Sequence, residues 1–270
     1  MSGNLGREKR KKERLMVTYA TAKQAGTPTW LDLMTPNMDE SKAFYQAVLG
    51  WEYDGGEPEF GGYTTATVAG QQAAGLMNLM PATPPMAAGW YLYFATDDIE
   101  ADAARVEELG GKVVYPPMAV GSFGSMATCT DPTGATFSLW QANEHIGTGV
   151  VGEPGAAAWY ELYTTNAAQA RDFYAALLGA SVSPMEEMEY YVLKHGSEEL
   201  CGIMQIDPSW GDFPQQWGIY FAVPDTDAAV ATATAHGGSL LGTVDDSPFG
   251  RLATLADPHG AMFKIVQLPA

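Results

Sequence analysis

One stretch of this chain occurs twice. Trp30-Leu31-Asp32-Leu33, then Phe44-Tyr45 and Leu49-Gly50, returns as Trp159-Tyr160-Glu161-Leu162, Phe173-Tyr174 and Leu178-Gly179 at a constant offset of 129 residues. Self-similarity at one fixed offset means the chain folds as two like units. With 270 residues, 46% of them hydrophobic, it is long enough to bury a core in each.

The copies agree element by element. Trp30 to Leu33 reads as a strand with Trp30 and Asp32 on one face, Leu31 and Leu33 on the other. Asn37 with Glu40 is a capping box, and Gly50 stops the helix it starts. Asn166 with Gln169, and Gly179, repeat both devices. Phe44 and Tyr45 are expected to pack in the core. Strands follow at Tyr63–Ala69 and Gly75–Met80, matched by Tyr190–Lys194 and Gly202–Ile206, with Pro81 to Met86 as a loop. Trp90 to Phe94 is the next strand, echoed by Trp217 to Phe221. A second helix starts at Asp97-Asp98 or Asp225 and ends at Gly110-Gly111 or Gly237-Gly238. Asp131-Pro132-Thr133-Gly134 and Asp257-Pro258-His259-Gly260 are hairpin turns before the last strands. Each copy therefore reads as two βαβββ modules in an α+β fold. The expected layout is a basic disordered tail (1–25), a first domain (26–143), a linker (144–155) and a second domain (156–270).

Charge narrows the partners. The net charge is −18, yet residues 7–14 hold 6 basic and 2 acidic residues, so the rest carries 8 basic and 30 acidic, a net of −22. Such a surface repels phosphate backbones, and no nucleic acid is expected on the folded part. The basic run could be an arm for nucleic acid or anionic lipid, but without apolar periodicity it reads as a disordered tail. Met16 directly after it is a candidate start of translation. No apolar run reaches the roughly 18 residues of a membrane span, and no secretory h-region opens the chain. Cys129 and Cys201 fall at non-equivalent places, so both are read as reduced, buried thiols in a cytoplasmic protein.

This module order, the Phe-Tyr…Leu-Gly helix ending, the acidic helix start and the Asp-Pro-x-Gly turn resemble the vicinal oxygen chelate superfamily. That group includes glyoxalase I, bleomycin- and fosfomycin-resistance proteins and extradiol dioxygenases. The Trp at both strand starts and the stretch Leu139 to Gly147 resemble two-domain glyoxalase-like proteins of actinomycetes, which often lie beside natural-product genes and are commonly labelled hydroxylase. The resemblance implies two tandem domains, each a pair of βαβββ modules forming a half-open barrel, or cup. It also implies three inward metal ligands per cup, on the first, fifth and last strands. Those positions hold Trp30, Tyr91 and Ser138 in the first copy and Trp159, Gly218 and Lys264 in the second. None is His or carboxylate, and an ammonium repels a divalent cation, so no metal is expected in either cup.

The lining then carries the chemistry. Asp32 and Glu161 share the inward face with the lost first ligand. A carboxylate among Trp30, Tyr91, Tyr93 and Trp140 is expected to have a raised pKa and to serve as general acid or base. The alternative for Asp32 is a carboxylate satisfied by backbone amides or a neighbouring tyrosine. In the second copy Glu161 shares its face with Lys264, Tyr220 and Trp159, either as a catalytic group or as a structural ion pair. His145, just after the last strand of the first copy, could reach an inter-domain cleft. His195, His236 and His259 read as surface or strand-end residues. No phosphate loop, nucleophile elbow, flavin site or haem site is present, and no cofactor is expected.

Aromatic concavities with few convergent polar groups suit a planar, largely apolar small molecule. The expected function is metal-independent tailoring of an aromatic natural product such as a polyketide antibiotic, by cyclisation, dehydration or ketal formation. The alternatives are an antibiotic-sequestering protein without turnover and a cofactor-free hydroxylase. Catalysis would fall to Asp32, Glu161, Lys264 and His145, and substrate contact to Trp30, Tyr91, Tyr93, Ser138, Trp140, Trp159 and Tyr220. The resemblance implies paired modules completed either within a chain or between two chains of a homodimer, and spacing does not distinguish these.

Overall fold

The computed structural model describes residues 17–57, 61–79, 86–185 and 188–269. The basic run at 7–14, Met16, Met80 and the loop residues 81–85 lie outside them. A short strand β1 (Val17–Thr18) precedes the first repeat. That repeat runs β2 (Pro28–Thr35), α1 (Met38–Leu49), β3 (Glu52–Gly55), β4 (Thr64–Val68), β5 (Gln71–Asn78), β6 (Gly89–Ala95), α2 (Ile99–Glu108), β7 (Lys112–Val120), β8 (Gly124–Thr130) and β9 (Thr136–Ala142). A short β10 (Val150–Val151) follows. The second repeat runs β11 (Ala157–Thr164), α3 (Ala167–Leu178), β12 (Ser181–Pro184), β13 (Tyr190–His195), β14 (Glu198–Gln205), β15 (Gln216–Ala222), α4 (Thr226–Ala235), β16 (Ser239–Ser247), β17 (Gly250–Ala256) and β18 (Met262–Gln267).

Each repeat is an open eight-stranded mixed sheet, ordered β3-β4-β5-β2-β6-β9-β8-β7 and β12-β13-β14-β11-β15-β18-β17-β16. The two first strands of the modules, β2 and β6, pair antiparallel at the centre, and each pairs in parallel with the last strand of its own module. The local twofold of each cup follows from this.

The local devices hold the helices where the sheets need them. Asn37 and Asn166 accept hydrogen bonds from the backbone of Glu40 and Gln169, and Gly50 and Gly179 turn left-handed at φ 73° and 64°. Asp98 and Asp225 cap α2 and α4 in the same way. On α1 the buried residues are Ser41, Phe44, Tyr45, Val48 and Leu49, one stripe at helical spacing. That stripe meets the Leu31/Leu33 face of the first sheet, leaving Trp30 and Asp32 on the opposite face.

The helix-side faces of both sheets share one hydrophobic core. Phe44 lies 6.0 Å from Phe263, Trp90 5.2 Å from Phe221 and Phe94 5.3 Å from Trp217, ring to ring across the domain boundary. Trp51, fully buried, donates to the carbonyl of Gly155. The cups therefore face away from each other.

Three expectations are corrected. The tail does not extend to residue 25: β1 pairs antiparallel with β10, Tyr19 donates to the Gly149 carbonyl, and Lys23 Nζ donates to Pro28 O and Thr148 Oγ1. The segment 144–155 is likewise engaged, with Gly149 donating to Gln72 and Val150 packed on Ala73 and Ala156. Gly75 and Gly202 do not open their strands. β5 begins at Gln71, after a tight turn in which Ala69 and Gly70 both have positive φ, and β14 begins at Glu198. Both glycines are mid-strand, and the reason lies in the cups. Cys129 and Cys201 are buried and free.

Candidate functional site

In the first cup, strand register builds the site. Trp30 lies opposite Tyr93, which lies opposite Ser138, while Asp32 lies opposite Tyr91 and Gly75. Asp32 Oδ1 accepts from Trp30 Nε1 (3.0 Å) and the Tyr63 hydroxyl (2.7 Å). Trp30 Nε1 shares its proton with Tyr63 Oη at 2.9 Å. Gly75 is glycine for this reason: a Cβ there would overlap the Tyr63 hydroxyl and the Asp32 carboxylate. Burial raises the Asp32 pKa above the usual carboxylate range, although its donors pull the other way. Trp30, Tyr93 and Trp140 form a cluster of their own, with Tyr91, Val120, Met126 and Ala142 packed on it. Tyr91 turns its hydroxyl to the Ala87 carbonyl.

His145 does not lie in an inter-domain cleft. Its ring sits edge-on to Trp30 at 4.3 Å and to Trp140 at 5.5 Å, its Nδ1 meets Gln72 Oε1, and its carbonyl accepts from Trp140 Nε1. Burial lowers its pKa to about 4, so the imidazole is neutral at physiological pH, and its Nε2 is buried without a hydrogen-bond partner. It backs the first cup's tryptophans.

The second cup repeats the plan with different bulk. Trp159 lies opposite Tyr220, which lies opposite Lys264, and Glu161 lies opposite Gly218 and Gly202. Trp159 Nε1 donates to Tyr190 Oη at 3.0 Å. A Cβ at Gly202 would overlap the Tyr190 hydroxyl, as at Gly75. Glu161 Oε2 accepts from the hydroxyls of Tyr163 and Tyr220, the latter at 2.6 Å, and those two hydroxyls are 3.0 Å apart. Lys264 Nζ stands 4.0 Å from the same oxygen and about 5 Å above the rings of both tyrosines. Burial lowers the Lys264 pKa, opposed by Glu161 and Asp245, and burial raises those of Tyr163, Tyr220 and Tyr190.

Thus the structure brings together the candidates Asp32, Trp30, Tyr93, Ser138 and Trp140 in one cup, and Glu161, Lys264, Trp159 and Tyr220 in the other. The sequence reading missed Tyr63, Tyr190 and Tyr163. The first two stand at matching strand entries, so the duplication could have flagged them. Tyr163 has Met34 as its counterpart, and nothing in the repeat marks it. Both carboxylates are only 5% exposed. Two clefts open outside the cups, one of about 120 Å³ beside Lys23 and Trp140, the other of about 250 Å³ between Gly26 and Leu178.

The donor sets do not fit the superfamily's metal. Two indoles, one phenol, a serine, a glycine and an ammonium occupy the six positions, and among the described residues no three His, Cys, Asp or Glu side chains come together as a metal cradle.

Two open sheets of paired βαβββ modules, each with a carboxylate held among aromatic rings, define a two-domain protein of glyoxalase type. The comparisons agree. A family profile, Glyoxalase/Bleomycin resistance protein/Dioxygenase superfamily, matches residues 27–139, and a Glyoxalase-like domain profile matches 160–266. A Mycobacterium bovis protein whose name proposes a glyoxylase, CFP32, is 41% identical over 249 residues, covering 90% of this chain and 95% of that one. The anthracycline biosynthesis protein DnrV of Streptomyces peucetius is 37% identical over 258 residues, covering 90% and 94%. The crystal structure of the Mn(II)-bound glyoxalase from Novosphingobium aromaticivorans superposes with a TM-score of 0.64 at 16% identity, over 90% of this chain and 82% of that one. The chain belongs to the Glyoxalase/Bleomycin resistance protein/Dioxygenase superfamily.

Proposed function

We propose that this protein is a metal-independent tailoring enzyme of aromatic polyketide biosynthesis, working by acid–base chemistry in its aromatic cups. The observation that carries the reading is the second cup's buried carboxylate, with Tyr163 and Tyr220 hydrogen-bonded to one oxygen and Lys264 beside it. A carboxylate, two phenols and an ammonium in one desolvated cluster can take a proton from carbon and stabilise oxygen at the same time. In a dehydration, Glu161 would remove the proton next to a ketone. The electron pair would move through the enolate oxygen, held by Lys264 and a phenol, and a β-hydroxyl would leave as water with the proton returned to it. A relative named for anthracycline biosynthesis, 37% identical over most of both chains, supports an aromatic polyketide as substrate.

The second reading is sequestration without turnover. It draws on the first cup, where Asp32 is satisfied from within and the aromatic rings pack on one another. Glu161→Gln separates the readings, with ligand binding followed alongside product formation by mass spectrometry. Acid–base catalysis predicts a fall in turnover of about 10²–10⁴-fold with binding kept. Binding without any product in the wild type would establish sequestration.

A further inference from the structure

The cups are built on one plan but filled differently, and this singles out one of them. The first cup's Tyr91 is replaced by Gly218, and its Trp140 by Val266, in the matching positions of β15 and β18. Two large rings are lost and one, Tyr163, is gained. The Tyr163 ring lies over Gly218, where a Cβ would approach its Cε2 to 2.8 Å, and this carries its hydroxyl to Glu161. The Trp30–Tyr93–Trp140 cluster has no counterpart among the described residues of the second cup.

A run of rings leads out from that cup. Tyr163 meets Phe213 at 5.1 Å, and Phe213 meets Trp210 at 5.6 Å. Trp210, on a single helical turn (Pro208–Trp210), is 46% exposed, an unusual position for an indole in a soluble surface. Met188, next to the Tyr190 strand that lines the same cup, is 49% exposed. The inner end of the run is polar and cationic, and the outer end is aromatic and apolar.

Resting on the function proposed above, we propose that the second cup is the working one, with Trp210 and Phe213 as its specificity-determining stacking face. Its ligand is a planar fused aromatic that carries an ionisable phenol or enol oxygen. The rings lie on Trp210 and Phe213, and the oxygen points inward to Lys264 and the Glu161 phenols. Stacking on exposed rings tolerates many planar systems, whereas Lys264 selects those with an acidic oxygen. The first cup, closed by its own rings, then has a structural role.

The test uses 1,4-dihydroxyanthraquinone as probe and follows the probe's own visible absorption, so that loss of a tryptophan does not alter the signal. Trp210→Ala and Phe213→Ala should each weaken binding about tenfold, and Trp210→Phe should restore most of it. Tyr91→Ala reports on the alternative site, because a fall in affinity there would place the ligand in the first cup. Lys264→Met should abolish the red shift of the bound probe that marks its ionised oxygen. Wild-type binding that survives the Trp210→Ala/Phe213→Ala double variant, or falls with Tyr91→Ala instead, overturns the assignment of the second cup while leaving the proposed function standing. Failure of the wild type to bind any planar hydroxyquinone defeats the proposed function itself. Because Trp210 is exposed and lies outside the shared core, thermal unfolding of its variants should match the wild type.

Discussion

The Tyr45 hydroxyl, on the first helix of the first domain, donates to Asp257 Oδ2 in the closing turn of the second, at 3.2 Å and buried. Asp257 Oδ1 meanwhile accepts from the backbone of His259 and Ala261, so one carboxylate both shapes its turn and ties the domains together. Tyr174 faces Asp131 in the mirrored position, where the carboxylate's Oδ2 is buried without a hydrogen-bond partner. Two repeat landmarks that lie far apart in each copy, Phe-Tyr and Asp-Pro-x-Gly, meet across the boundary. Tyr45→Phe should therefore destabilise the whole chain by about 1.5–3 kcal/mol, the range for a hydrogen bond to a charged group. Tyr174→Phe should cost less. Urea unfolding of both variants checks the order.

The mid-strand glycines give a sharper test of cup geometry. Gly75→Ala should cost about 1–3 kcal/mol by overpacking the Tyr63 hydroxyl against Asp32. Adding Tyr63→Phe should recover part of that loss, since the clash involves the hydroxyl. Equal costs in the presence and absence of the hydroxyl would show that the two groups do not touch.

His145 predicts an acid-side signature. Its folded pKa, about 4, lies below the ordinary 6.5, so the unfolded chain binds the extra proton between those values. Stability should then rise with pH from about 4 to 6.5, by up to roughly 3 kcal/mol, and the share due to this ring should vanish in His145→Gln. Parallel unfolding-versus-pH curves for the two proteins would contradict the buried, neutral imidazole.

Lys264→Met distinguishes a functional ammonium from a structural ion pair. Nζ stands at 4.0 Å from Glu161, the edge of ion-pair range, while phenols already satisfy that oxygen. The variant should lose less than about 1 kcal/mol of stability yet fall at least about a hundredfold in turnover. A stability loss of about 3–5 kcal/mol, typical of breaking a buried pair, would indicate a structural role.

How much of this was legible in the sequence depends on the scale of the signal. Caps, helix stops and alternation are local and repeated, so the module order and the inward face of Asp32 and Glu161 could be read directly. Gly75 and Gly202 misled as strand starts because their cause is a tyrosine about twelve residues earlier, beyond any turn rule. His145 misled because distance along the chain does not show that a linker folds back onto a tryptophan. Residues 17–25 looked like tail because two-residue pairing leaves no periodicity. Trp210 and Phe213 carried no repeat signal, and only the packing on Tyr163 connects them to a cup.

In the function proposed above, acid–base groups do the work that a metal does elsewhere in the superfamily. The most direct measurement is turnover of an aromatic polyketide by the wild-type protein before and after exhaustive chelation. The account predicts an unchanged rate. A rate lost on chelation and restored by one equivalent of a divalent ion would contradict it.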